Sequence, residues 1–170
     1  MVVMIVTTSN TYGQAHFEVI DGLRYLIDEN ANTATLVANP DEKYAGVIVI
    51  PEKVTSKNEK ECLVTALSDN CFNSSNITSI TIPPSVTSLG DGCFQDCTSL
   101  TSITIPSSIA SIDTFCFYDC NKLETIYFKG SRPNDLINSS IPTTCIFYVP
   151  KEYLQDYKDQ YCVKLIFNRL

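Results

Sequence analysis

Charge is scarce in this sequence. Lys, Arg, Asp and Glu make up 18% of the 170 residues, against 44% hydrophobic residues. That balance excludes a disordered chain, which combines low hydrophobicity with high charge. The length suits one domain or a short repeat array. Basic residues are fewer than acidic ones, 12 against 19, for a net charge of −7. With no basic cluster, neither a nucleic-acid backbone nor an anionic membrane surface finds an electrostatic footprint. No apolar run approaches the length of about 20 residues that crosses a bilayer as a helix. The signatures of catalysis are also missing. There is no nucleophile elbow, phosphate-binding glycine loop or calcium loop. His16 is the one histidine, and nothing places it beside an activated thiol. Asp and Glu are scattered, with no paired arrangement. A non-enzyme without catalytic residues, cofactor or metal is expected.

Residues 1–15 hold an apolar stretch, MVVMIV, then a polar stretch, then small residues at Gly13 and Ala15. They read as a truncated secretory signal that lacks its positive n-region, with the mature chain starting near His16. The alternative is a short buried or frayed strand.

What the sequence has in abundance is self-similarity. Ile77 to Ser99 and Leu100 to Lys122 align without a gap at a period of 23 residues, the spacing from Ile80 to Ile103. Ile82 matches Ile105, Pro83 matches Pro106, Val86 matches Ile109 and Leu89 matches Ile112. Cys93-Phe94 matches Cys116-Phe117, and Cys97 matches Cys120. An earlier copy runs through Val47 to Pro51, Val54 and Leu67 to Phe72, interrupted by an extra ten residues around Ser56 to Lys60 that read as an inserted hairpin. A further copy begins at Leu123 and degenerates at Ser131-Arg132-Pro133.

One repeat is physically legible. In ITSITIP the apolar residues alternate, the period of a half-buried strand. Proline ends it because it cannot donate a ladder hydrogen bond. Val86 and Leu89 turn the chain back. Asp91 to Cys97 predicts a short helical turn with Cys93 and Cys97 on one face. Each unit is too small to bury its own face, so stacking of about three or more copies must create the core.

The pattern L-x-x-I-x-I-P-x-x-[VI]-x-x-[LI]-x-x-x-C-F-x-x-C resembles the BspA-like leucine-rich-repeat family of bacterial and protist surface proteins, from about Gly46 to Pro150. Cys71 keeps the first cysteine of the pattern, whereas Ser75 replaces the second. The copy after Leu123 lacks the Cys-Phe element. The resemblance implies an α/β repeat, a short right-handed leucine-rich-repeat solenoid with a parallel sheet on one face. It also implies a secreted or cell-surface location and adhesion to host or neighbouring-cell surface proteins, although many members of the family have no known partner.

The flanks predict caps. Phe17 to Ile20, Asp21-Gly22 and Leu23 to Ile27 form a hairpin signal, because Asp-Gly suits a type I′ turn. A third strand is expected from Thr33 to Ala38. This antiparallel N-terminal β cap (16–45) would cover the open edge of the first repeat. After the array (46–150), a C-terminal strand-helix cap (151–170) is expected. Cys145 to Pro150 repeats the strand-plus-proline pattern, and Lys151 to Gln160 reads as a short helix with Tyr153, Leu154 and Tyr157 on one side. Residues 16–170 then make one structural domain.

Eight cysteines, at positions 62, 71, 93, 97, 116, 120, 145 and 162, admit three readings. An even count in a secreted chain invites disulfides, and Cys pairs invite zinc. The repeat phase instead places them in the core, where free cysteine is commonly found, so a buried thiol ladder is expected. Phe72, Phe94 and Phe117 recur in phase and read as a core spine. Asn73, Asn76 and Asn138 each begin a glycosylation sequon, relevant on a eukaryotic secretory route.

Strand residues between the buried isoleucines face outward. They give one row, Val49, Thr81, Thr104, Tyr127 and Tyr148, and beside it another, Val47, Ser79, Ser102 and Thr125. Tyrosine combines large contact area with a polar handle and is enriched at interfaces. This face is the candidate binding surface of a monomeric protein-interaction module. The alternative is a structural spacer or cap in a surface assembly, with no ligand of its own.

Overall fold

The alternation read in the sequence forms strands throughout. The computed structural model describes residues 15–158 and 164–168, so residues 1–14 of the suspected signal segment lie outside the described residues. Strands β1 (His16–Ile20), β2 (Leu23–Asp28) and β3 (Thr33–Leu36) form the expected antiparallel meander. Asp21 and Gly22 sit at φ 50° and 79°, the left-handed pair that a type I′ turn requires.

The repeats follow as β4 (Ala45–Val49), β5 (Lys53–Thr55), β6 (Glu61–Leu67), β7 (Asn76–Thr81), β8 (Ser88–Leu89), β9 (Ser102–Ile105), β10 (Ser111–Ile112), β11 (Thr125–Phe128) and β12 (Ile146–Pro150). They supply two layers. In the first, β4 pairs with β7, and β9, β11 and β12 pair in order, all parallel. The single parallel sheet expected on this face is two ladders, because β7 lies alongside β9 without a ladder between them. The second layer runs β1-β2-β3-β6-β8-β10, with β5 antiparallel to β6. Here Leu67, Leu89 and Ile112 stand in register.

The inserted residues form a hairpin, as expected, but it is more than a bulge. Its second strand, β6, joins the second layer beside β3. The meander therefore covers the first repeat through β6. Among the described residues no strand pairs with the outer edge of β4.

Side chains from both layers meet in one core. Ile48 and Ile80 are aligned across one ladder, and Ile103, Ile126 and Phe147 across the other; all are buried. Phe72, Phe94 and Phe117 stack in sequence, with ring centroids 5.3 and 5.6 Å apart, and Tyr44 packs against the free end at 5.2 Å. This is the spine that the repeat phase predicts.

The expected helical turn at Asp91 to Cys97 is a run of non-helical turns. Gly92 and Asp96 both sit at φ 57°, and Phe115 and Asp119 at 55° and 56°. Left-handed residues at that spacing do not continue an α-helix. Amides within these turns bond between repeats instead: Phe72 N–H donates to Cys93 O, and Phe94 N–H to Cys116 O, both at 2.8 Å. In the degenerate copy a 3-10 turn, Leu136–Ser139, takes this place. Phe117 N–H donates to Ser139 O at 2.8 Å, which puts buried Ser139 in the column of Cys93 and Cys116.

The C-terminal segment is a 3-10 turn, Lys151–Tyr153, then helix α1 (Leu154–Lys158) and strand β13 (Lys164–Asn168). Tyr157 is fully buried against Phe128, and its hydroxyl donates to Gly130 O at 3.1 Å. Tyr153 and Leu154 pack against the core on the same side. β13 pairs in parallel with β12, so a further strand follows the expected helix.

Candidate interaction face

Because alternate residues of a strand share a face, the buried isoleucines force their neighbours outward. The ladders then set those neighbours side by side. Val47 pairs with Ser79 and Val49 with Thr81. Ser102 pairs with Thr125, and Thr104 with Tyr127. Tyr127 pairs with Tyr148, and Thr125 with Ile146. Both predicted rows are thus formed, each interrupted where β7 meets β9.

The face changes character along its length. Val47 and Val49 are 71% and 64% exposed. Ser79, Thr81, Ser102 and Thr104 are exposed, while Thr125, Tyr127 and Tyr148 are half-buried. The tyrosines shield each other: their rings stack with centroids 4.8 Å apart and planes 22° apart. Sequence reasoning missed how far this end extends. Ile166 pairs with Tyr148 and continues the tyrosine row, and Ile146 continues the other. The missed signal was the apolar run Leu165-Ile166-Phe167, short enough for a strand but placed after a segment that reads as a closing helix.

The thiols are built into the core. The seven described cysteines are all buried and unpaired, so the structure carries the thiol ladder and not the disulfide alternative among them. Cys97 Sγ donates to Phe72 O at 3.1 Å and Cys120 Sγ to Phe94 O at 3.0 Å. Burial pushes the Cys97 and Cys145 thiols up to about 12, and raises those of Cys93, Cys116 and Cys120 well above the ordinary thiol value. Reactive cysteines need the opposite, a stabilised thiolate.

Two groupings were not anticipated. On the turn side, Phe115 and Tyr118 are 51% and 45% exposed and meet edge to face at 6.0 Å. Near the start of the chain, His16 and Glu18 of β1 converge with Glu29 beyond β2. Their separation in sequence hid them, since the hairpin brings them together.

The repeats, the two layers and the thiol columns define a leucine-rich-repeat protein. Its repeat region is of a particular kind: residues 64–145 match, in six copies, the family model described as BspA type leucine rich repeat region. A leucine-rich-repeat protein from Bacteroides capillosus has a similar structure, with 25% identity and a TM-score of 0.67, covering 78% of this chain and 97% of its own. A leucine rich cell surface protein from Faecalibacterium prausnitzii is 18% identical with a TM-score of 0.56, over 90% of this chain and 51% of its own. One from Eubacterium ventriosum is 23% identical with a TM-score of 0.60, over 94% of this chain and 40% of its own. This chain therefore spans about half or less of the latter two. No curated protein matches it. Among the described residues no helix is long and apolar enough to cross a membrane.

Proposed function

We propose that this chain is a secreted or cell-surface interaction module, not an enzyme. It acts as a monomer that takes a protein partner on the outward face of its first layer. In this reading the repeats wind as a right-handed solenoid closed by the meander and by α1–β13. The observation that carries the reading is the Tyr127–Tyr148 stack, set on a solvent-facing sheet next to Ile146 and Ile166. Rigid aromatic pairs flanked by aliphatic residues offer large contact area at little cost in side-chain entropy, and aromatics are enriched at interface centres. The hydroxyl-rich middle of the face supplies adaptable polar contacts. The surface location is supported by the repeat type and by the similar F. prausnitzii cell surface protein.

The test is capture of purified extracellular-matrix and cell-surface proteins by the immobilised full chain, beside a Tyr127→Lys variant of unchanged circular dichroism. A binder retains a partner that the variant releases. A spacer without a ligand retains none, and equal retention by both proteins removes this face.

A further inference from the structure

The N-terminal strand breaks the polarity rule that its neighbours keep. In an antiparallel pair, residues directly opposite share a face. His16, Glu18 and Ile20 stand opposite Ile27, Tyr25 and Leu23, whose side chains are buried. Phe17 and Val19 point the other way, 54% and 62% exposed. A one-residue change of register would exchange the two sets and bury the apolar pair. The observed register leaves Phe17 under the Arg24 guanidinium, 3.9 Å from its ring centroid, and turns a histidine and a glutamate inward. Local rules broken in this way concentrate at functional positions.

What the inverted strand achieves is a convergence. His16 Nε2 lies 2.5 Å from Glu18 Oε1. One donor atom each from His16, Glu18 and Glu29 lies within 4.8 Å of the others, and all three residues are partly buried. The inserted turn 56–60, absent from the other repeats, seats itself on this trio. Ser56 Oγ donates to Glu29 Oε1 at 2.6 Å, and Asn58 Nδ2 donates to the same carboxylate at 3.0 Å. Lys57 N–H donates to Glu18 Oε2 at 2.9 Å. The Ser56 hydrogen bond, and with it that of Asn58, draws the Glu29 carboxyl below its ordinary range. Both carboxylates are therefore oriented by outer partners, as metal ligands characteristically are.

We propose that His16, Glu18 and Glu29 form a site for one divalent metal ion of the zinc class, which clamps the inserted turn onto the N-terminal meander. One imidazole nitrogen with two carboxylates suits zinc, leaving a fourth position for water. Zinc ligands stand about 2.0–2.2 Å from the ion and so within about 4.4 Å of one another.

The experiment uses the full chain, freed of metal by a chelator and titrated with zinc chloride. Calorimetry is expected to show one equivalent bound. The ring-proton resonances of His16 should shift with it, and as this is the sole histidine the signal is unambiguous. His16→Ala and Glu29→Gln should each weaken binding by about tenfold or more, while Glu124→Gln, exposed on another part of the chain, should not. Cobalt in place of zinc should give weak visible bands without the intense near-ultraviolet band of thiolate ligation. An unmoved His16 spectrum under excess zinc overturns the proposal without recourse to any variant. So does a thiolate band, which would place the metal on the cysteines.

Discussion

The thiol of Cys120 donates a hydrogen bond to the carbonyl of Phe94, 3.0 Å away in the preceding repeat. Cys97 does the same to Phe72 one repeat earlier. The Phe94 carbonyl also accepts from Cys97 N–H at 3.1 Å, so loss of the thiol costs a hydrogen bond without orphaning the acceptor. Cys120→Ala should therefore destabilise the chain by about 0.5–1.5 kcal/mol, read from the urea midpoint. A midpoint unchanged from wild type would mean that the thiol is only a filler.

The same burial makes stability pH-dependent. A thiol near 9.0 in the unfolded chain is pushed to about 12 for Cys97 and Cys145 in the fold. The folded state then holds its thiol protons more tightly than the unfolded state. Their contribution is complete below pH 9 and is lost as pH rises through the folded values. The melting temperature should fall steadily from pH 9 upwards. Native protein at pH 8 should also resist alkylation, while urea-unfolded protein reacts fully.

Strand phase is tested by adjacent residues. Ile103 is buried and Ser102 exposed. Ile103→Ala should cost about 2–5 kcal/mol, and Ser102→Ala should stay within about 0.5 kcal/mol of wild type. Similar losses in a denaturant melt would mean that the face assignment is wrong by one residue.

The stacking distance between repeats is tested at Gly90. A Cβ there would lie 2.5 Å from Asp69 N and 2.7 Å from Ser68 C, both main-chain atoms of the preceding repeat. Backbone cannot swing aside as a side chain can, so the repeats must part. Gly90→Ala should cost about 1–3 kcal/mol, measured by thermal unfolding. A neutral result would show that the stack yields at this point.

Legibility followed the repeat. Columns that recur, such as Ile80 and Ile103 or Phe94 and Phe117, could be placed because each copy confirmed the next. Asp21-Gly22 marked its hairpin by turn chemistry alone. The second layer was hidden because β8 and β10 are two residues long, too short to show a period. The turns at Gly92 and Asp96 were mistaken for a helix because Cys93 and Cys97 share a helical spacing. The left-handed position carries Gly92 in one copy but Phe115 in the next, so it leaves no consistent mark. One outward row was legible as far as Tyr148 and the other as far as Thr125, but Ile166 was not, since β13 follows a helix that looked like the end. The His16, Glu18 and Glu29 trio depends on a hairpin register and on an insertion, neither of which recurs.

The most direct test of the account is a double-mutant cycle at Tyr127 and Tyr148, using a partner captured by the full chain. Their rings touch at 4.8 Å, so they should act as one anchor. Tyr127→Ser and Tyr148→Ser should each cost about 2 kcal/mol or more of binding free energy. The double variant should lose less than the sum, because residues in contact are coupled. Thr81→Ala and Thr104→Ala should cost less than either. A folded double variant that binds with wild-type affinity would contradict the account and remove this face as the site of recognition.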